Sequence, residues 1–147
     1  KMLLARLVPV PPEDAGLEED RVRLIRDLPA RLTVRADSDQ LHRILVNLMR
    51  NARQAIESDP ARDRKGRITV RAKTRDGVVA IRITDDGPGI PERLAGRLFE
   101  PFVSGRASEG TGLGLTISRE LAANHGGELR LLDTGPDGTT FELRLPA

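Results

Sequence analysis

The sequence predicts an α/β fold, a two-layer sandwich in which helices pack on a mixed β-sheet. Apolar and polar residues alternate in several short runs, which is the pattern of half-buried strands. One long stretch instead repeats its apolar residues with the helical period, and a shorter helical stretch follows later. Because the helical stretches are dispersed between predicted hairpins, we expect one mixed sheet with helices packed on it.

Residues 1–20 are predicted to be a linker or the end of a preceding domain, and residues 21–147 to form a single domain. A short apolar stretch over residues 2–8 is followed by prolines and an acidic patch. Two short alternating runs, residues 22–27 and 32–36, then flank Pro29. They predict a pair of strands joined by a turn.

The strongest helix pattern begins after the segment Asp37-Ser38-Asp39, whose side chains can cap a helix N-terminus, and ends before Pro60. Asn47 and Asn51 lie within about 40° of each other at the margin of its apolar stripe. Two amides there are poor helix formers, which favours a functional role over a polar helix border. The stripe consists of Leu41, Ile44, Leu45, Leu48, Ala52, Ala55 and Ile56.

Two hairpins and one more helix complete the predicted layers. The first hairpin turns at Asp76-Gly77, and the second turns around residues 135–138. Between them, residues 115–124 form a helix that stops at His125-Gly126-Gly127. Its predicted buried side consists of Leu115, Ile117, Leu121 and Ala122.

Two glycine-dense turns, at residues 85–89 and 110–114, bracket a short helical piece and a polar loop. Glycine removes the side chain that would hold a ligand away from the backbone. The first turn starts at Asp85, where a strand ends, and the second opens into a helix whose free amides suit a phosphate. This arrangement predicts a nucleotide site. A P-loop motif is absent, and the second turn lacks the preceding strand of a Rossmann fingerprint.

Four motifs, in this order, resemble the boxes of the ATP-binding domain of sensor histidine kinases. NLMRNA at residues 47–52 resembles the N box, DDGPGI at 85–90 the G1 box, LFEPF at 98–102 the F box, and GTGLGL at 110–115 the G2 box. The resemblance covers the chain from about residue 37 to its end. It implies a Bergerat-type ATP-binding fold in which ATP lies between the helical layer and a lid, expected at residues 104–109.

The resemblance implies that Asp85 contacts the adenine amine, while Gly87 and Gly89 let the base pass close to the backbone. A carboxylate suits this position because the adenine amine donates a hydrogen bond where guanine presents a carbonyl. Thr139 or Thr140 resembles the threonine that supports this contact, and Thr140 is the candidate we select. Further nucleotide contacts are expected from Ile90, Phe102, Arg106, Gly110, Thr111, Gly112, Leu113, Gly114, Leu115 and Arg50.

Asn47 and Asn51 are the predicted catalytic residues. Asn51 resembles the asparagine that ligates Mg²⁺, for which an amide oxygen is a suitable hard ligand. Asn47 matches a position where gyrase and mismatch-repair ATPases carry a glutamate base. An amide cannot accept the proton of an attacking water, which favours transfer to another acceptor over hydrolysis.

Composition narrows the possible partners. Aromatic residues make up 2% of the chain, with no Trp or Tyr, which disfavours binding of nucleic acid by base stacking. The absence of cysteine excludes disulfides and thiol catalysis. No apolar run reaches membrane-spanning length, so we expect no direct membrane contact and a cytoplasmic location. The missing initiator Met suggests a fragment of a longer protein.

The predicted function is binding of Mg-ATP and transfer of its γ-phosphoryl group to a histidine on a separate dimerisation domain of the same protein. A response regulator is then the expected partner in two-component signalling. His42 and His125 lack the acidic context of an acceptor site and are predicted to be structural. Two alternatives stay open, namely an ATPase switch of the gyrase and chaperone type, and a degenerate module that binds nucleotide or a response regulator without catalysis.

Overall fold

A computed structural model describes residues 3–6, 10–18, 21–29, 32–59, 65–100 and 114–147. Its elements are, in chain order, β1 Leu3–Arg6, a 3₁₀ helix Pro12–Ala15, β2 Val22–Asp27, β3 Thr33–Ala36, α1 Ser38–Glu57, β4 Gly66–Arg75, β5 Val78–Asp85, α2 Glu92–Ala95, α3 Gly114–Asn124, β6 Glu128–Gly135 and β7 Gly138–Pro146.

The main sheet has five strands in the order β2-β4-β5-β7-β6. β2 runs parallel to β4, and the other neighbours are antiparallel. The mixed sheet and its helices confirm the predicted two-layer α/β sandwich. Both predicted hairpins are present, and the β4–β5 turn places Asp76 and Gly77 at φ angles of 52° and 76°, as a tight hairpin turn requires.

Helix α1 supplies the centre of the core. Its N-cap is Asp37, whose side chain accepts a hydrogen bond from the backbone N–H of Gln40 at 3.0 Å. Every residue of the predicted apolar stripe is buried. Val46 and Met49 are buried as well, so the apolar face of α1 is wider than the sequence pattern indicated.

The prediction that residues 22–27 and 32–36 pair with each other is wrong. β2 pairs with β4, while β3 pairs antiparallel with β1 in a separate two-stranded sheet. Parallel strands need a long crossover connection, and here β3 and α1 lie in the connection between β2 and β4. The segment around Pro29 therefore leads from one sheet to the other and does not close a hairpin.

The described part of residues 1–20, predicted to be a linker or the end of a preceding domain, contains a strand and a 3₁₀ helix. Leu3–Arg6 forms β1, and Val10, Ala15 and Leu17 are buried in the hydrophobic core. The 3₁₀ helix of this segment contacts α1. β1 pairs with β3, and the three buried residues belong to the hydrophobic core, so this part of the segment is in contact with the rest of the described fold.

Helix α3 ends where the sequence predicts. Gly126 has a φ of 73°, and the backbone N–H of Gly127 donates to the carbonyl of Ala122 at 2.9 Å, which closes the last turn. The predicted buried side is only partly right, because Ala122 is fully buried but Leu115, Ile117 and Leu121 are half-buried, and the buried Ser118 was not predicted. Within the described residues, no helix has the length and apolar content to cross a membrane.

Candidate functional site

Asp85, the last residue of β5, is a buried carboxylate at the edge of the core. Side chains alternate along a strand, so Asp85 shares the inner face of the sheet with Ile81 and Ile83. Only 4% of its surface is exposed. Its Oδ1 accepts a hydrogen bond from the backbone N–H of Gly87 at 2.9 Å. The turn predicted from glycine content therefore holds the carboxylate in a defined position.

Gly87 brings this turn against the backbone of α1. A Cβ atom added at Gly87 would lie 3.0 Å from the carbonyl carbon of Ala55 and 3.1 Å from its oxygen. Ala55 follows Asn51 by four residues, about one helical turn, so both lie on one side of α1. The structure thus brings the predicted N box close to the predicted G1 turn.

The two asparagines of α1 have different surroundings. Asn47 donates a hydrogen bond from Nδ2 to Oγ of Ser118 at 3.2 Å, which links α1 to α3. Ser118 is completely buried. Asn51 is half-buried, and its amide makes no hydrogen bond to any described residue. The half-buried amide of Asn51 can therefore bind a ligand, whereas the amide of Asn47 already bonds to Ser118.

Thr140, the threonine selected from the sequence, lies on the outer face of the sheet, opposite the face that bears the Asp85 side chain. Thr140 pairs with Thr84 in the strand register, and their hydroxyls hydrogen-bond at 2.9 Å on the outer face. Thr139 pairs directly with Asp85 and is buried, with 3% of its surface exposed. Because strand side chains alternate between faces, only Thr139 can share a site with Asp85.

Thr134 on β6 contacts Ile90 and Thr139, although the sequence did not indicate it as a candidate. Its Oγ1 accepts a hydrogen bond from the backbone N–H of Ile90 at 2.9 Å, and it hydrogen-bonds the hydroxyl of Thr139 at the same distance. The register of β6 shifts between Leu131 and Asp133, so Thr134 rather than Asp133 pairs with Thr139. This bulge decides which side chain faces the site.

Gly89 brings the same turn against the end of β6. Its φ is 87°, and a Cβ atom there would overlap the carbonyl oxygen of Gly135. Together with the bond from Ile90 to Thr134, this close approach fixes the turn between α1 and the β6–β7 hairpin. The predicted residues Gly87, Gly89 and Ile90 thus all belong to one turn that follows Asp85 and contacts α1 and β6.

The remaining residues predicted to bind nucleotide are not among the contacts of Asp85 described above. Arg50 is exposed, and its Nη2 donates to the backbone carbonyl of Asp14 at 3.3 Å, so a phosphate contact by Arg50 stays a prediction. α3 begins at Gly114, one residue before the predicted start at Leu115, and a nucleotide contact by either residue stays a prediction. Phe102, Arg106, Gly110, Thr111, Gly112, Leu113 and the predicted lid at residues 104–109 lie outside the described residues.

Phe99 anchors its segment to the core. Its ring meets that of Phe141 edge-on, with 6.4 Å between centroids, and its carbonyl accepts a hydrogen bond from Thr116 Oγ1 at 2.9 Å. The guanidinium of Arg119 lies 4.9 Å from the centre of the Phe99 ring. Phe99, in the predicted F box, therefore connects the segment that follows α2 to helix α3.

Neither histidine is positioned as a free acceptor of a phosphoryl group. His125 is buried; its Nε2 accepts a hydrogen bond from the backbone N–H of Asp37 at 3.1 Å, and its Nδ1 lies 2.6 Å from the carbonyl oxygen of Leu121. This ring therefore connects the end of α3 to the start of α1. The Nε2 of His42 lies 3.2 Å from Oδ2 of Asp14.

Comparison with known proteins gives a consistent assignment. The family model described as histidine kinase-, DNA gyrase B- and HSP90-like ATPase matches residues 36–147. The two-component sensor PprA of Pseudomonas aeruginosa is 37% identical in an alignment of 134 residues, and the match covers 89% of this chain and 14% of PprA. The sensory histidine kinase/phosphatase NtrB of Klebsiella oxytoca is 39% identical in an alignment of 138 residues, and the match covers 86% of this chain and 38% of NtrB. The chain thus spans well under half the length of these relatives.

Solved structures agree. A mycobacterial sensor histidine kinase, MprB, superimposes with a TM-score of 0.71 at 32% identity, over 85% of this chain and 83% of that one. The catalytic domain of the histidine kinase ThkA in a nucleotide-free form superimposes with the same score at 28% identity, over 85% of this chain and 80% of that one.

Proposed function

Because the chain belongs to the family of histidine kinase-, DNA gyrase B- and HSP90-like ATPases, we propose that it binds Mg-ATP and donates the γ-phosphoryl group to a histidine on a separate dimerisation domain. Family membership supports ATP binding and a kinase role. The observation that carries the proposal is the buried Asp85 carboxylate, held by the Gly87 amide between α1 and Thr139. In the longer protein, we propose a cytoplasmic location and a response regulator as the further partner.

Base recognition follows from the surroundings of Asp85. An ionised carboxylate only accepts hydrogen bonds, so it suits the exocyclic amine of adenine and disfavours the carbonyl of guanine at the same place. The Gly87 N–H occupies one lone-pair direction of Oδ1 and so orients the carboxylate. Thr139 lies beside it on the adjacent strand. Its hydroxyl, already bonded to Thr134, would give the site a second polar group fixed by the sheet.

Asn51 fits the role of a Mg²⁺ ligand better than Asn47 does. Its amide is half-buried and makes no hydrogen bond to the described residues, whereas the amide of Asn47 is bonded to Ser118. When bound with ATP, Mg²⁺ neutralises charge on the phosphate oxygens. A neutral amide oxygen suits such an ion, because most of its negative partners come from the nucleotide.

The same arrangement favours phosphoryl transfer over hydrolysis. Activating a water requires a group that can take its proton, and the amide of Asn47 cannot. This amide also donates to Ser118, so its position is set by helix packing. His125 uses both ring nitrogens in contacts with the backbone. The acceptor histidine is therefore expected on another domain.

Incubation with radiolabelled ATP tests the proposal. The chain alone should bind ATP but acquire little label and release little phosphate. Adding the dimerisation domain of the parent protein as a separate polypeptide should place the label on that polypeptide, stable to base and labile to acid, as a phosphohistidine is. Rapid phosphate release by the chain alone would instead support an ATPase switch, and absence of any ATP binding would support a degenerate module.

Nucleotide titrations test the site itself. Asp85→Asn should weaken ATP binding by about 1 to 3 kcal/mol, because a charge-assisted bond is lost. Thr139→Val and Thr140→Val form a matched pair, since both remove one hydroxyl from neighbouring positions. We expect weaker ATP binding only for Thr139→Val, because Thr140 faces the other side of the sheet. Equal effects of the two valine variants would contradict the proposed site.

A further inference from the structure

The outer face of the main sheet, opposite the inner face that bears Asp85, carries a row of charged side chains that crosses every strand. In the strand register Asp27 lies beside Arg71, Arg71 beside Arg82, Arg82 beside Glu142, and Glu142 beside Arg130. Residues directly opposite on neighbouring strands point to the same face. We call these five residues the charged row.

Positive charge predominates around this row. Glu142 is buried, with 2% of its side chain exposed, and it contacts Arg82 and Arg130 at 2.9 Å each and Arg144 at 3.5 Å. Several guanidinium groups thus share one carboxylate. Arg71 contacts Asp27 at 3.5 Å, but Arg71 and Arg82 lie directly opposite each other. Like charges directly opposite each other repel, so an anion bound next to Arg71 and Arg82 would reduce the repulsion between them.

A depression beside the charged row has the shape for such an anion. It has a volume of about 530 Å³. Its charged lining consists of Arg71, Lys73, Arg82 and one carboxylate, Asp27, and its apolar lining consists of Leu28, Pro29, Ala72 and Ala80. Ala80 pairs with Lys73 on β4 and with Arg144 on β7, so bases stand on both sides of it. Lys73 is exposed and has no ion pair with any described residue. Three basic side chains against the single carboxylate of Asp27 leave the lining net positive, which suits the carboxylate of an acidic side chain.

We propose that this depression and the outer side chains of β4 from Arg71 to Arg75 are a docking site for an acidic protein segment in extended conformation. Side chains two residues apart on a strand are about 6.6 to 6.8 Å apart, and an extended peptide has the same repeat. Acidic residues at every second position of the partner would therefore meet Arg71, Lys73 and Arg75 in turn. This inference concerns the face opposite to Asp85 and does not depend on the proposed kinase reaction.

Two observations favour a protein segment over nucleic acid. Asp27 and Glu142 lie within the charged row and would repel a continuous phosphate backbone. No aromatic side chain of the described residues is on this face, so bases would find no stacking partner there. A second depression of about 350 Å³ continues along β4, but Asp86 and Asp137 line it together with Arg67. This second lining contains three aspartates and two arginines, so it has no excess of positive charge and the acidic segment is limited to the end of β4 near Arg75.

The test is fluorescence anisotropy at low ionic strength with a labelled synthetic peptide that alternates glutamate and serine. The wild-type chain should bind it, and Lys73→Glu should weaken binding by about tenfold because attraction becomes repulsion. Lys73→Gln should have a smaller effect in the same direction. Arg43→Glu is the matched control, since Arg43 is exposed on α1 in the other layer and has no ion pair with a described residue. It should bind the peptide as the wild type does.

Three outcomes would overturn the proposal. Absence of peptide binding to the wild type would remove the site. Equal weakening by Arg43→Glu would show that net charge alone is responsible. Tighter binding of a DNA duplex than of the peptide, lost in Lys73→Glu, would assign the face to nucleic acid. Circular dichroism of each variant shows whether it is folded, and ATP binding should be unchanged in Lys73→Gln.

Discussion

Replacement of Gly89 by alanine tests how the first glycine turn is held. Gly89 and Gly77 both have positive φ angles, 87° and 76°, so an alanine at either position pays a similar backbone cost of about 1–2 kcal/mol. They differ in their surroundings. Nothing lies within 4 Å of a Cβ atom at Gly77, whereas one at Gly89 would overlap the carbonyl oxygen of Gly135 and lie 2.9 Å from its carbon.

The overlap at Gly89 has to be relieved by moving backbone, since neither partner atom belongs to a flexible side chain. Overpacking of this kind costs about 1–3 kcal/mol, so Gly89→Ala should lose about 2–5 kcal/mol in total, and Gly77→Ala about 1–2 kcal/mol. Urea unfolding of both variants measures the difference, and each kcal/mol should also lower Tm by about 2–4 °C in a domain of this size.

The two variants should also differ in function. Gly89→Ala moves the turn away from β6 and disturbs the bond from Ile90 to Thr134, so we expect weaker ATP binding. Gly77 lies in the β4–β5 turn, at the opposite end of β5 from Asp85, so Gly77→Ala should bind ATP normally. Equal losses of unfolding free energy in the two variants would refute the close approach of Gly89 to Gly135, and with it the clamped turn.

Three further predictions concern single side chains. Burial acts to raise the pKa of Glu142, but hydrogen bonds and charges of Arg82 and Arg130 outweigh it, so its pKa lies below the ordinary value of 4.5. Its stabilising contribution is therefore present above pH 4.5 and lost as pH falls through the lowered pKa. Glu142→Gln should lower the free energy of unfolding by about 1–3 kcal/mol at neutral pH and make it depend less on pH in the acid range. An acid unfolding curve identical to that of the wild type would contradict this. Asn51→Ala should abolish the Mg²⁺ dependence of ATP affinity, whereas Asn47→Ala should mainly lower the free energy of unfolding, because the hydrogen bond to Ser118 is lost. ATP titrations with and without Mg²⁺ distinguish the two variants. His125→Ala should lower stability by about 1–3 kcal/mol, because the Asp37 N–H loses its acceptor, and urea unfolding with no change would show that this link is unimportant.

The sequence by itself determined the features that depend on near neighbours along the chain. The apolar stripe and Asp37 cap of α1, the tight turn at Asp76-Gly77 and the end of α3 at Gly126 each follow from residues within a few positions of one another. The ordered motifs also identified the family that the comparisons show. The position of Asp85 at the end of a strand could likewise be read locally.

Tertiary structure alone decided which distant residues meet. Thr139 rather than Thr140 shares a face with Asp85 because the β5–β7 register sets which one points inward, and a bulge in β6 brings Thr134 to the same side. The partner of β2 is β4 because the chain crosses over through β3 and α1. A shift of one residue in any of these registers would reverse the faces, and no local pattern encodes that choice. The charged row has the same origin, since its members come from five strands brought together only by pairing.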